Sequence, residues 1–250
     1  MTIHDCALNG ASLSWLDERI CVLDVREDAP RMRLPAFSLP TGGQLLAPVR
    51  ESLSIRVTFA LHEEDPVRRW NLLGLVRAWA AQGGILTLES RSGQQLTVIC
   101  TEFPAMAAED WTAPLSLLFT TTHCPYWEAA ESTVLTGSGA MTLTLPGTAD
   151  AVPVSVTVTN EGSSPVTRLT LLCGGSCIIF EDISLPAGGK CYVEVRDGLL
   201  CATINGESIL PCRTPGSDDL LLAPCGKSCT VSASGGQPLQ TVFTARGRYE

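Results

Sequence analysis

Two cysteine pairs at equal spacing, Cys173-x3-Cys177 and Cys225-x3-Cys229, are the residues of this sequence best suited to chemistry. Four thiolates could close a tetrahedral zinc site. The spacing is not the tight two-residue knuckle, and both pairs fall where strands bury small apolar residues. The expected reading is therefore buried thiols, with no metal and no other cofactor. His123-Cys124 invites a thiolate–imidazole dyad, but neighbours in an extended segment point to opposite sides. Gly226-Lys227-Ser228 ends like a phosphate-binding loop, yet Leu221 stands where that loop needs glycine. Gly206-Glu207-Ser208 begins like a nucleophile elbow, and Leu210 occupies the place of its last glycine. The carboxylate pairs Glu63-Glu64 and Asp218-Asp219 fall in turns and read as solvated charge. His4, His62 and His123 are far apart in sequence. No catalytic site is expected.

The elements around these residues are mostly strands. Ile20 to Val25 is a short apolar strand segment, and Ser54 to Leu61 alternates polar and apolar residues with the period of a half-buried strand. Between them, from about 27 to 50, Pro30, Pro35, Pro40, Pro48 and Gly42-Gly43 replace any regular period, with Arg31, Arg33 and Arg50 interspersed. This stretch is expected to be an extended loop or hairpin with little of its own domain to pack on, which makes it a candidate interaction arm. Its proposed oligomer contacts are Arg31, Arg33, Leu34, Pro35, Phe37 and Leu39.

One helix is predicted over 66–81. Asp65 caps it, Pro66 suits its first position, and Gly83-Gly84 stops it. Trp70, Leu73, Val76 and Ala80, widened by Leu72, Leu75 and Trp79, form the face expected in the core. Strands are predicted at 85–89, 96–103 and 115–122. After the aromatic knot Pro125-Tyr126-Trp127 helical periods vanish and short alternating runs take over, among them Val152/Val154/Val156/Val158 read as one strand. Asn160-Glu161-Gly162, Asp197-Gly198 and Asn205-Gly206 supply tight turns. The fold class expected is mostly β: an N-terminal β-sandwich or barrel-like domain (1–131) with one helix and an arm, then a C-terminal β-sandwich (132–250).

Composition narrows the functions. Of 250 residues 45% are hydrophobic and 17% charged, as in a folded globular protein. A net charge of −9 argues against a dedicated binder of phosphate backbones, so no specific nucleic acid is expected. No run approaches the ~18 apolar residues of a spanning helix, so no membrane insertion is expected. The first residues show no secretory signal, which suggests synthesis ending in the cytoplasm with the eleven cysteines reduced.

Phe119-x5-Pro125-Tyr126-Trp127 resembles the Asp-Pro-Tyr-Trp signature closing the N-terminal domain of siphophage distal tail proteins, with Cys124 in place of the Asp. Val156 to Gly162 with Pro165, the hairpin from Lys190 to Asn205-Gly206, and Leu220 to Pro224 leading to Gly235 resemble that family's later strands and turns in the same order. The resemblance implies a galectin-like C-terminal sandwich and a structural role in the virion at the tail tip, assembled in the host cytoplasm. It implies a homo-oligomeric ring, a hexamer, through which DNA passes, joining the tail tube protein to the tail-tip hub protein and to receptor-binding or adsorption proteins. The stretch at 27–50 then corresponds to the belt hairpin that embraces the neighbouring subunit. The alternative is a carbohydrate-binding β-sandwich module, weakened because the second half has no Trp and only Phe180, Tyr192, Phe243 and Tyr249 as aromatics.

Overall fold

The computed structural model describes residues 5–29, 31–33, 36–39, 42–45, 49–105, 113–196 and 198–250, with backbone alone for 36–39 and 42–45. Two compact units divide the chain, Met1–Trp127 and Glu128–Glu250. Both are built on antiparallel strands.

In the first unit the strands are β1 (Cys6–Leu8), β2 (Ala11–Ser12), β3 (Ile20–Glu27), β4 (Met32–Arg33), β5 (Ala36–Leu39), β6 (Gly42–Leu45), β7 (Val49–Arg50) and β8 (Ser54–Leu61). The helix α1 (Pro66–Ala81) follows, then β9 (Gly84–Leu88), β10 (Gln94–Glu102) and β11 (Leu115–Thr121), and the short β12 (Trp127–Ala129) starts on the unit's last residue. The main sheet runs β2-β1-β9-β10-β11-β8-β3, which leaves β3 on an edge. Alternation in β8 is complete: Ile55, Val57, Phe59 and Leu61 are buried while Ser54, Arg56, Thr58 and Ala60 are half-buried on the other face. Asn9-Gly10 joins β1 to β2 with both residues at positive φ, 53° and 82°, the geometry of a two-residue hairpin turn.

Helix α1 starts and stops where its local chemistry requires. The Asp65 carboxylate accepts from the backbone N–H of Val67 at 2.8 Å and of Arg68 at 3.0 Å, satisfying two of the orphan donors. Gly83, at φ 57°, ends it in the left-handed region. Leu72, Leu73, Val76, Trp79 and Ala80 are buried, and Trp79 meets Phe119 edge-on with centroids 5.9 Å apart. Trp70, expected in this core face, is instead 48% exposed, and Leu75 is 41% exposed. At 100° per residue each stands about 110° from the centre of the buried stripe, so both flank the face rather than belong to it. Trp70 lies under Arg77, whose guanidinium carbon is 5.9 Å from the ring centroid.

The second unit contains β13 (Thr133–Gly137), β14 (Met141–Thr144), β15 (Val152–Pro153), β16 (Ser155–Asn160), β17 (Val166–Cys173) and β18 (Ser176–Leu185). It continues with β19 (Lys190–Arg196), β20 (Leu199–Ile204), β21 (Glu207–Ser208), β22 (Leu222–Ala223), β23 (Ser228–Ser234), β24 (Leu239–Ala245) and β25 (Arg248–Tyr249). Two sheets, β13-β24-β16-β19-β20-β21 and β14-β23-β17-β18, enclose one core that includes Val156, Val158, Leu169, Leu171, Phe180, Val193 and Phe243. The run Val152 to Val158 is not one strand: β15 pairs with β22, whereas β16 pairs with β19 and β24. Pro153 cannot donate to a ladder, and the chain changes partner there.

Candidate functional site

The groups singled out for chemistry do not converge. Cys173 in β17 and Cys229 in β23 adjoin, and burial together with the neighbouring Cys229 pushes the Cys173 thiol up to about 12. Cys177 lies opposite Leu172, whose 42% exposure places that pair on the outer face of the sheet. Cys225 is buried elsewhere, its sulfur accepting the Arg248 N–H at 3.4 Å. Among the described residues no group of three or more His, Cys, Asp or Glu side chains is placed to hold a metal. His123 Nδ1 lies 2.7 Å from the Thr122 hydroxyl, and the Cys124 sulfur lies 3.8 Å from the Tyr126 carbonyl. Gly226 sits in a turn whose N–H donates to Leu145 O at 2.9 Å, and no helix follows it. Asp219 pairs with Arg213 at 3.0 Å, and Asp218 accepts the Cys177 N–H at 2.6 Å. In the second unit Phe180 and Phe243 are core residues, which leaves Tyr192, 44% exposed, and the half-buried Tyr249 as aromatics for a sugar face.

The arm has more definite geometry. β3 and β8 pair with partner numbers summing to 81 near Ile20 and to 82 near Glu27, across a bulge between Val22 and Asp24. The register of 82 continues through Met32↔Arg50 and Arg33↔Val49, whereas Ala36↔Leu45 to Leu39↔Gly42 sum to 81, a difference of one. The β4/β7 pair thus prolongs the edge hairpin in register, and β5 with β6 forms a further two-stranded segment of the arm. A two-stranded ribbon is marginal by itself in water. Of the expected contact residues, Arg31 and Arg33 are exposed, Phe37 and Leu39 lie on β5, and Leu34 and Pro35 fall outside the described residues.

The ribbon's root is clamped by the aromatic knot. Glu27 accepts from Trp127 Nε1 at 3.1 Å and from Arg91 at 2.7 Å, and Arg91 also lies 4.9 Å from the Trp127 ring centroid. On the returning strand Arg50 stacks over Tyr126 at 4.4 Å. Sequence reasoning missed this clamp, because Glu27 and Trp127 are 100 residues apart and neither type signals the other. Beside it opens a cleft of about 700 Å³ lined by Arg31, Arg33, Arg50 and Arg56 together with Asp28 and Glu51.

At the other end of β3 and β8 lies an acidic corner. Arg19 bridges Asp17 at 2.8 Å and Glu63 at 2.5 Å, and its hydrogen bonds hold the Asp17 carboxyl at about 2. Glu18 and Glu64 are exposed and Trp15, at the end of a 3-10 turn, is 83% exposed. A smaller cleft of about 460 Å³ runs along His62, Glu63, Glu64 and Ala113 to Arg69, which is 3% exposed and whose Nε has no hydrogen-bond partner among the described residues.

No protein-family model and no curated protein sequence matches the chain. Its fold matches the crystal structure of the Dit protein of phage SPP1, described as a paradigm of the hub adsorption apparatus of phages that infect Gram-positive bacteria. That match has a TM-score of 0.68 at 13% identity and covers 98% of this chain and 99% of the other. Weaker matches are to the activated baseplate of phage P2 with Ca (TM-score 0.45, 7% identity, 98% of each chain) and with Sr (0.41, 7%, 97% of each). The chain has the fold of a distal tail protein from end to end.

Proposed function

We propose that the chain is a structural component of a phage tail tip that closes into a ring, a hexamer, between the tail tube protein and the hub with its receptor-binding or adsorption proteins. The observation that carries this reading is the whole-length fold match to SPP1 Dit, across both units at once. The first unit would build the ring, its ribbon strapping onto the next copy as a heterologous, ring-closing contact. The second unit would face outward as a docking platform. DNA would pass through the hole, and the net charge of −9 supports a lumen that repels the phosphate backbone. No step in this role is chemical.

The test removes residues 30–48 behind a short Gly/Ser bridge. Light scattering and negative-stain images of the full chain should show a closed ring, and those of the deletion a folded monomer. If the deletion variant forms the same ring, the role given to the ribbon is wrong. A full chain that stays monomeric at every concentration would refute the ring itself.

A further inference from the structure

The first unit is polarised in charge along the β3/β8 ribbon. From Ala29 to Arg50 the sequence holds Arg31, Arg33 and Arg50 and no carboxylate, in a protein whose net charge is −9. Arg31 and Arg33 are exposed and have no ion-pair partner among the described residues, whereas Arg50 is stacked on Tyr126 and Arg56 pairs with Glu102 at 3.6 Å. At the opposite end, beyond the Ile20↔Leu61 pair, stand Asp17, Glu18, Glu63, Glu64 and Asp65. The cations there are Arg19, already shared by Asp17 and Glu63, Arg68 in the first helical turn, and the buried Arg69, with His62 beside them. Glu18 and Glu64 have no ion-pair partner among the described residues.

Trp15 adds an independent sign. An indole left 83% exposed two residues from Asp17 is a surface on which a guanidinium can stack while the adjacent carboxylates take its N–H groups. Arg and Trp are also the residue types that dominate the energetics of protein interfaces.

Resting on the ring reading, we propose that the arginine cleft at the root of the arm (Arg31, Arg33) of one copy docks on the Trp15/Glu18/Glu64 corner of the next. The two surfaces lie at opposite ends of one ribbon, so every copy in a head-to-tail ring can satisfy both. A second copy fits better than a nucleic acid, because the corner is acidic. It also accounts for the stretch from Ala29 to Arg50 holding no carboxylate in an acidic chain, with Asp28 and Glu51 flanking it.

Charge reversal on the full chain tests this. Arg31→Glu with Arg33→Glu, and separately Glu18→Arg with Glu64→Arg, should each raise the concentration at half-assembly by at least ~10-fold, since like-charge juxtaposition costs several kcal/mol and 1.4 kcal/mol is tenfold. Mixed in equal amounts the two variants should assemble again to within ~3-fold of wild type, because each presents the surface the other needs. Trp15→Ala should weaken assembly with its circular dichroism unchanged. Failure of the mixture to recover, with both variants folded by tryptophan fluorescence, overturns the pairing of these surfaces. A ring indifferent to both reversals overturns it too, while leaving the ring reading intact. A wild-type chain that never assembles sinks both.

Discussion

Asn160→Ala isolates one element of the second unit's stability. The Asn160 side chain is fully buried and hydrogen-bonded three times: its amide donates to Ser164 O at 2.9 Å and Leu185 O at 3.0 Å, and its oxygen accepts the Gly162 N–H at 2.9 Å. It ties the β16 turn to the end of β18. Removing it deletes three bonds worth about 1 kcal/mol each net and strands the buried Leu185 carbonyl away from water, for a total of ~3 kcal/mol. For a unit of this size that lowers the melting temperature by ~10 °C. All five tryptophans, Trp15, Trp70, Trp79, Trp111 and Trp127, precede Glu128, so tryptophan fluorescence reports the first unit while far-UV circular dichroism reports both. The circular-dichroism transition of the second unit should shift and the fluorescence transition should stay. A shift under ~1 kcal/mol would refute the worth assigned to these bonds, and an equal shift in fluorescence would refute independent unfolding of the two units.

Phe119→Ala should destabilise the first unit by ~3–5 kcal/mol, read by fluorescence-detected urea unfolding, because a fully buried ring packed edge-on against Trp79 is lost. Arg69→Met should leave stability unchanged or raise it, since it removes a buried guanidinium whose Nε lacks an acceptor; a loss above ~1 kcal/mol would show that the guanidinium is paired in solution. Asp17 titrates near 2 in the folded chain against an ordinary 3.8, so its contribution is present above pH ~4 and lost as pH falls toward 2; Asp17→Asn should flatten acid unfolding over that window. Cys6, Cys173 and Cys191 are buried with thiols pushed well above the ordinary range, and peptide mapping after native alkylation at pH 8 should find all three unmodified.

Legibility in the sequence followed the range of the forces involved. β8 was readable to its ends because Ile55, Val57, Phe59 and Leu61 alternate against one core. Helix α1 was readable because Asp65, Pro66 and Gly83 act within one turn of their positions. Trp70 was misjudged because it lies at the margin of a stripe whose centre is set by the sheet beneath, and a wide apolar face in sequence does not reveal that centre. The break at Val154 depends on which strand supplies the next partner, a tertiary choice: its N–H goes to Leu221 O at 2.9 Å. The Asn9-Gly10 hairpin was local and missed all the same, hidden by flanking strands of three and two residues. Of the site, the residue types of the arm were legible and its pairing was not. Prolines at 30, 35, 40 and 48 interrupt every run, and only the pairings of β3 with β8, β4 with β7 and β5 with β6 show that the segments between them fold back on one another.

In the proposed ring the arm would also join the aromatic knot to assembly. Trp127, Tyr126 and Arg91 hold the ribbon where it leaves the sheet, with Glu27 on one strand and Arg50 on the other. Beyond the root, β4 pairs with β7 and β5 with β6, and among the described residues neither pair joins the main sheet. A segment fixed at its base has already lost much of the orientational freedom that binding would otherwise have to remove, so a modest distal contact suffices for a specific one. In the proposed ring the knot would therefore contribute to association without touching the partner. Loosening it, as by Glu27→Gln, should weaken assembly in the way a loss of preorganisation does, with the contact surface itself unaltered.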